Sequence, residues 1–166
     1  RDTLLAAISP GVDGFGLAFH DGNACRQFID DAPASDSALA EFLRRHPIRA
    51  RTVLAHIRKA TQGPVAIANC HPFVREWRGR HWSFCHNGDL GDFHPRLAGG
   101  HVPVGRTDSE RAFCWILQEL RRRFRARQAP GWAQLAPVIA ELAERIAPHG
   151  RFNFLLSDGE ALYAHA

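Results

Sequence analysis

In Thr52-Val53-Leu54-Ala55-His56-Ile57-Arg58-Lys59-Ala60-Thr61-Gln62-Gly63 an apolar run of strand length passes directly into a polar segment closed by glycine. The same change recurs at Trp82-Ser83-Phe84-Cys85-His86-Asn87-Gly88. A third landmark, Gly105-Arg106-Thr107-Asp108-Ser109-Glu110, stands where a helix begins. Each landmark ends an ordered element, so three elements can direct their ends at one pocket. An arginine suits a carboxylate, because its planar fork makes two parallel hydrogen bonds. An aspartate at a helix start suits an ammonium group. An Asn-Gly pair offers a side-chain amide and an unhindered backbone N–H, the two donors an oxyanion needs. Together these groups describe a site for an amino acid whose side-chain carbonyl is attacked.

Outward from these landmarks the chain alternates between strand and helix patterns. Thr3 to Ile8 reads as a helix end before Pro10-Gly11. Val12 to His20 reads as a strand, with Phe15, Leu17 and Phe19 on one face. Asp21-Gly22-Asn23 turns it into a second strand through Phe28 and Ile29. Ser37 to Arg45 has helical spacing at Leu39, Phe42 and Leu43, stopped by Pro47. Thr52 to Ile57 and His81 to His86 read as strands, and Asp89 to Gly105 as loop. Thr107-x-x-Glu110 has the pattern of a capping box, the Thr hydroxyl and the Glu carboxylate each satisfying free N–H groups of the first turn. Phe113, Ile116, Leu117, Leu120 and Phe124 then mark one helix face. Trp132, Leu135, Val138, Ile139, Leu142 and Ile146 mark a second helix. A hairpin closes the chain, with strands from Phe152 to Leu156 and Ala161 to Ala166 turned at Asp158-Gly159. Strands, then two helices, then strands predict an α+β fold of two stacked antiparallel sheets flanked by helices.

With 166 residues, 45% hydrophobic and 23% charged, the chain suits one globular domain with a real core. No apolar run approaches the roughly 20 residues that span a bilayer, so no membrane partner is expected. The net charge of +4 comes almost wholly from arginine, Lys59 being the only lysine, which is a weak footprint for nucleic acid. Four cysteines without CxxC spacing predict buried reduced thiols in a cytoplasmic protein.

At Arg58-x-Ala60-Thr61-x-Gly63, His86-Asn87-Gly88 and Thr107-Asp108-Ser109-Glu110 the chain resembles the class II glutamine amidotransferases, the N-terminal-cysteine branch of the Ntn hydrolases. Asn69-x-His71-Pro72-Phe73 is similar to the single-domain bacterial branch. The resemblance runs from about Asp13 to Asp158 and implies the four-layer αββα sandwich. It implies that Arg58 grips the α-carboxylate of glutamine or a γ-glutamyl amide, with Thr61 adding a hydroxyl bond. Asp108 would hold the α-ammonium, while the Asn87 side chain and the Gly88 N–H would form the oxyanion hole. The side-chain amide would be hydrolysed through a cysteinyl thioester, with neither metal nor organic cofactor. The partners implied are glutamine or a γ-glutamyl small molecule, an ammonia-accepting protein and, as a further option, a second copy of the chain. The family nucleophile is a cysteine at the mature N-terminus, whereas this sequence begins Arg1-Asp2-Thr3-Leu4. The single domain over residues 1–166 is therefore expected to lack its extreme N-terminus, and its C-terminal strands as well. The segment Ser9 to Asp13 is shorter than the family's glycine-rich loop.

Three other readings stand beside this one. A glutamine-binding pseudoenzyme would keep Arg58 and Asp108 without the chemistry. A His-ligated metallohydrolase would draw on His71, His81, His86, His94 and His101, none of which has the HxxxH spacing of a zinc helix. Arg121, Arg122, Arg123, Arg125 and Arg127 form either a solvated helix face or a contact for a phosphate-bearing partner. Cys85 and His86, as strand neighbours, point to opposite faces and cannot form a nucleophile pair.

Overall fold

Alternation along the first strand sets the layering of the molecule. In the computed structural model, which describes residues 13–59, 64–126 and 128–166, β1 (Phe15–Asp21) lies between β2 (Ala24–Asp30) and β3 (Thr52–Ile57) in an antiparallel sheet. Phe15 and Leu17 pack outward against Ala40 and Leu43 of helix α1 (Ala38–Arg45), with Phe19 beside them. Ala18, on the opposite face, meets Leu54 of β3 and Cys85 of the second sheet. Ser37 caps α1, its hydroxyl accepting from Ala40 N at 3.1 Å. The predicted helix end at Thr3 to Ile8 lies outside the described residues, as do Thr61 and the segment at 9–12.

The second sheet has the order β4-β5-β6-β7, all antiparallel: Phe73–Trp77, Arg80–Asp89, Arg151–Ser157 and Leu162–His165. Ser83 and Cys85 face the first sheet, where Ser83 Oγ meets His20 Nε2 at 2.7 Å. Phe84 faces the other way and stacks on Phe113 of helix α2 (Asp108–Arg123), ring centroids 5.2 Å apart. Helix α3 (Trp132–Ile146) packs beside α2, so Phe113, Ile116, Leu117, Leu120, Leu135, Leu142 and Ile146 share one large core with Trp82, Phe84 and Leu156. Among the described residues the layers thus run α1, three-stranded sheet, four-stranded sheet, α2 with α3. This is the predicted α+β sandwich of two antiparallel sheets.

The structure corrects several readings. Strand β4 was absent from the sequence pattern, and it pairs with β5 through a two-residue turn at Arg78-Gly79, both with positive φ (56° and 74°). That is the backbone a tight hairpin requires, and arginine is a poor residue for it. The Arg78 guanidinium donates to the carbonyls of Phe124 and Ala126 past the end of α2, which holds the residue there. Strand β5 does not stop at His86 but continues to Asp89, because Asn87, Gly88 and Asp89 pair with Asn153, Phe152 and Arg151. Trp132, assigned to the core face of α3, is 61% exposed: it is the first residue of the helix and overhangs the core.

Candidate active site

The helix landmark folds as a capped N-terminus, with one change of partner. Thr107 Oγ1 accepts from Glu110 N at 3.2 Å, satisfying one free donor of α2. Glu110 does not return to the Thr107 N–H as the capping-box pattern predicts. Its carboxylate instead accepts from Val104 N at 2.9 Å and Gly105 N at 2.7 Å, and pairs with Arg75 of β4. Glu110 is 1% exposed, and a buried carboxylate needs such charge-assisted partners. The loop leading to Thr107 is thereby tied to the second sheet.

Asn69 completes that tie. Buried at the end of a short 3-10 turn (Ile67–Asn69), it donates from Nδ2 to Pro64 O at 2.8 Å and accepts at Oδ1 from Arg106 N at 2.8 Å. One amide thus joins the segment after the Arg58 motif to the segment before Asp108.

These ties assemble a cavity of about 260 Å³ at one end of the sandwich. Its walls include Arg58, Asn87, Gly88 and Asp108, so four of the five predicted site residues meet there; the fifth, Thr61, is outside the described residues. Arg58 continues the inward face of β3 set by Leu54 and His56 and is buried, its Nη2 donating to Pro64 O at 3.2 Å. Asp108 is half-buried. Its Oδ2 accepts from Leu90 N at 2.6 Å and its Oδ1 from Ser109 N at 2.8 Å, which fixes the carboxylate between the end of β5 and the start of α2. Asn87 falls on the same face of β5 as Cys85 and is exposed; its side-chain amide makes no hydrogen bond among the described residues. Gly88 cannot carry a side chain, since a Cβ would lie 1.8 Å from Arg151 O and 2.6 Å from His86 Nε2.

Three histidines line the same cavity: His56, and two of the five metal candidates, His71 and His86. His86 Nε2 lies 3.0 Å from Arg151 O, which can only accept, so this nitrogen carries the proton. Nδ1 then accepts from the Ser109 hydroxyl at 2.8 Å. His56 Nε2 donates to His86 O at 3.1 Å, and the His56 and His71 rings lie 4.2 Å apart. His56 Nδ1 and both ring nitrogens of His71 have no hydrogen-bond partner among the described residues. Burial holds all three below the ordinary histidine range, His56 at about 4, with mutual repulsion and Arg58 acting in the same direction on His56 and His71. The sequence signals that set these histidines apart are local: His56 ends an apolar strand, His71 precedes Pro72-Phe73 and His86 opens His86-Asn87-Gly88.

The other histidines lie elsewhere. His81 Nδ1 accepts from Cys25 N at 2.9 Å, and His94 is exposed. Among the described residues no three His, Cys, Asp or Glu side chains are placed together to hold a metal ion. Cys85 faces the first sheet while His86 faces α2, as strand alternation requires. Burial raises all four thiols, Cys25 and Cys114 to about 11, which keeps them protonated and poorly nucleophilic.

A pH dependence follows from the buried imidazoles. A histidine neutral in the fold but titrating near 6.5 when unfolded binds more protons unfolded, so stability falls as pH drops below 6.5. For His56 the loss extends down to about pH 4 and is on the order of 3 kcal/mol. Denaturant unfolding between pH 7 and 4 should show this decline. His56→Gln, which keeps a donor for His86 O, should flatten it; identical slopes for both proteins would mean that His56 is not held neutral.

The chain matches the family model described as glutamine amidotransferases class-II over residues 5–166. It is 43% identical over 156 residues to "Putative glutamine amidotransferase YafJ" of Escherichia coli K12, covering 94% of this chain and 61% of that protein. A Haemophilus influenzae protein named "Putative glutamine amidotransferase" is 43% identical over 153 residues, covering 92% of this chain and 51% of its own length. Among solved structures, the crystal structure of a predicted glutamine amidotransferase from Pseudomonas aeruginosa PA01 superposes with a TM-score of 0.76 at 39% identity, covering 93% of this chain and 60% of that one. The chain therefore belongs to the class II glutamine amidotransferase family. It spans between about half and three fifths of the length of these curated relatives. Among the described residues no helix is long and apolar enough to cross a membrane.

Proposed function

We propose that this domain binds the free amino-acid end of glutamine, or of a γ-glutamyl amide, and hydrolyses the side-chain amide through a cysteinyl thioester. The observation that supports this most is the meeting of Arg58, Asp108 and Asn87-Gly88 around one cavity of amino-acid size, from three separate elements. The buried Arg58 fork faces the α-carboxylate and the anchored Asp108 carboxylate faces the α-ammonium. The Asn87 amide and the Gly88 N–H receive the oxyanion that forms as the side-chain carbonyl becomes tetrahedral.

The nucleophile in this reading is a cysteine at the mature N-terminus, whose own α-amino group serves as base. It is not among the 166 residues, and Cys25, Cys70, Cys85 and Cys114 do not replace it. Attack of its sulfur on the amide carbon and protonation of the leaving nitrogen release ammonia and leave a γ-glutamyl thioester. Water then cleaves the thioester to glutamate and restores the thiol. Ammonia passes to an acceptor protein, or the reaction ends as hydrolysis of a γ-glutamyl amide. Neither outlet requires a metal or an organic cofactor.

The test uses the full-length protein with its N-terminal cysteine. Glutamine hydrolysis is expected to survive exhaustive chelation and to be abolished by a thiol alkylator. Loss of activity on chelation, restored by added zinc, would overturn the cysteine mechanism in favour of a metal one.

A further inference from the structure

Away from this cavity, a groove of about 740 Å³ lies between the loop at 96–101 and the last turns of α2. Arg121, Arg122 and Arg125 line one wall, and Arg96 lines the other. Cations in the last turn of a helix are stabilised by its dipole, so Arg121 and Arg122 alone would need no ligand. Arg96 and Arg125 lie outside that turn and have no such explanation.

The loop is built onto the helix rather than draped over it. Gln118 of α2 accepts from Ala98 N at 2.6 Å through Oε1 and donates to Arg96 O at 3.2 Å through Nε2. This one side chain satisfies both backbone groups and fixes the position of Arg96 across the groove. Gly100 lets the loop close in: a Cβ there would lie 2.8 Å from Arg121 Nη1. Arg122 reaches Glu119 at 3.3 Å, whereas Arg96, Arg121 and Arg125 form no ion pair with a carboxylate among the described residues. Four permanently charged guanidinium groups thus surround one depression, only one of them paired. His101, also in the wall, is held below its ordinary range by burial and by the charges of Arg75 and Arg121.

We propose that this groove is a binding site for a small anion carrying two or more phosphoryl groups. Guanidinium forks recognise phosphate oxygens in pairs. The volume falls among small-molecule clefts of roughly 300–1,000 Å³. A long nucleic acid fits less well, because the basic surface is interrupted toward α3. There Arg123 pairs with Glu141 at 2.6 Å, and Glu119 holds Arg145 at 3.6 Å as well as Arg122.

The test is calorimetric titration of pyrophosphate into the full-length protein at physiological ionic strength. Saturable binding at one site is expected, weaker for inorganic phosphate and absent for a nucleoside without phosphate. The double variant Arg96→Gln, Arg121→Gln should bind pyrophosphate at least roughly tenfold more weakly. Both positions are exposed and make no ion pair among the described residues, and thermal melting confirms that the variant is folded. Arg125→Gln provides a second, independent reduction. Glutamine binding should be the same in all these proteins, which separates this groove from the amino-acid cavity. No saturable pyrophosphate binding, equal affinity in wild type and variants, or tight binding of a single-stranded RNA with none of pyrophosphate would each overturn the proposal.

Discussion

Asn87→Ala in the full-length protein is expected to lower glutamine turnover by roughly 10²–10³, the usual effect of removing one oxyanion donor. The expectation rests on how β5 presents the residue. Pairing with Asn153 fixes the Asn87 backbone in the ladder, and alternation puts its side chain on the Cys85 face, at the mouth of the cavity. Its amide is not engaged by another described residue, so it is free to receive developing charge. The donor acts on the tetrahedral state and hardly on the ground state, so kcat should fall while KM changes much less. Alanine leaves no buried group unpaired at this exposed position, so stability should change little. Unchanged turnover in a folded variant would remove Asn87 from the oxyanion hole.

The sandwich was legible in the sequence because its long elements carry strong periodicity. The β1 face of Phe15, Leu17 and Phe19 and the α2 face from Phe113 to Leu120 both read correctly, since each buries one side against a continuous core. Strand β4 was not read. Its alternation of Phe73, Arg75 and Trp77 contains a charged residue on the buried side, and its turn uses arginine where asparagine or glycine is usual. The neutralising partner of Arg75 is Glu110, 35 residues away, which no local pattern reveals. That long-range pair also explains the capping box. Glu110 had the right spacing to close it, but burial beside Arg75, Val104 and Gly105 gave its carboxylate stronger partners.

The candidate site was legible in a different way. Arg58, Asn87, Gly88 and Asp108 were found through residue chemistry at element ends and through motif resemblance, and the structure places all four on one cavity. Asn69 and His56 stand within quoted motifs without a part in the sequence reading, and His71 enters only as a metal candidate. The amide of Asn69 acts by joining two loops, and His56 and His71 are marked by rings that meet 4.2 Å apart in the cavity wall, so both depend on tertiary contacts.

The central claim is that Arg58 and Asp108 read the free amino-acid end of the ligand. Asp108 is held by Leu90 N and Ser109 N in a half-buried position, so its carboxylate is oriented before any ligand arrives. In the proposed site an α-ammonium would complete its charge pair, whereas an N-acetyl group supplies no cation and adds bulk. A desolvated carboxylate left without its partner costs several kcal/mol, so discrimination should reach about 10²-fold or more. The γ-amide nitrogen is not read by this pair, so γ-glutamyl amides should bind as glutamine does. Asp108→Asn should lose most of the preference; asparagine keeps one oxygen acceptor for Leu90 N or Ser109 N, and thermal melting confirms that the variant is folded. The deciding measurement is competition binding of glutamine against N-acetylglutamine on the wild-type protein and on Asp108→Asn. A strong preference for glutamine in the wild type, largely erased in the variant, is the predicted result. Equal affinity for both ligands in the wild type would mean that Asp108 serves only the start of α2, and would contradict the amino-acid site.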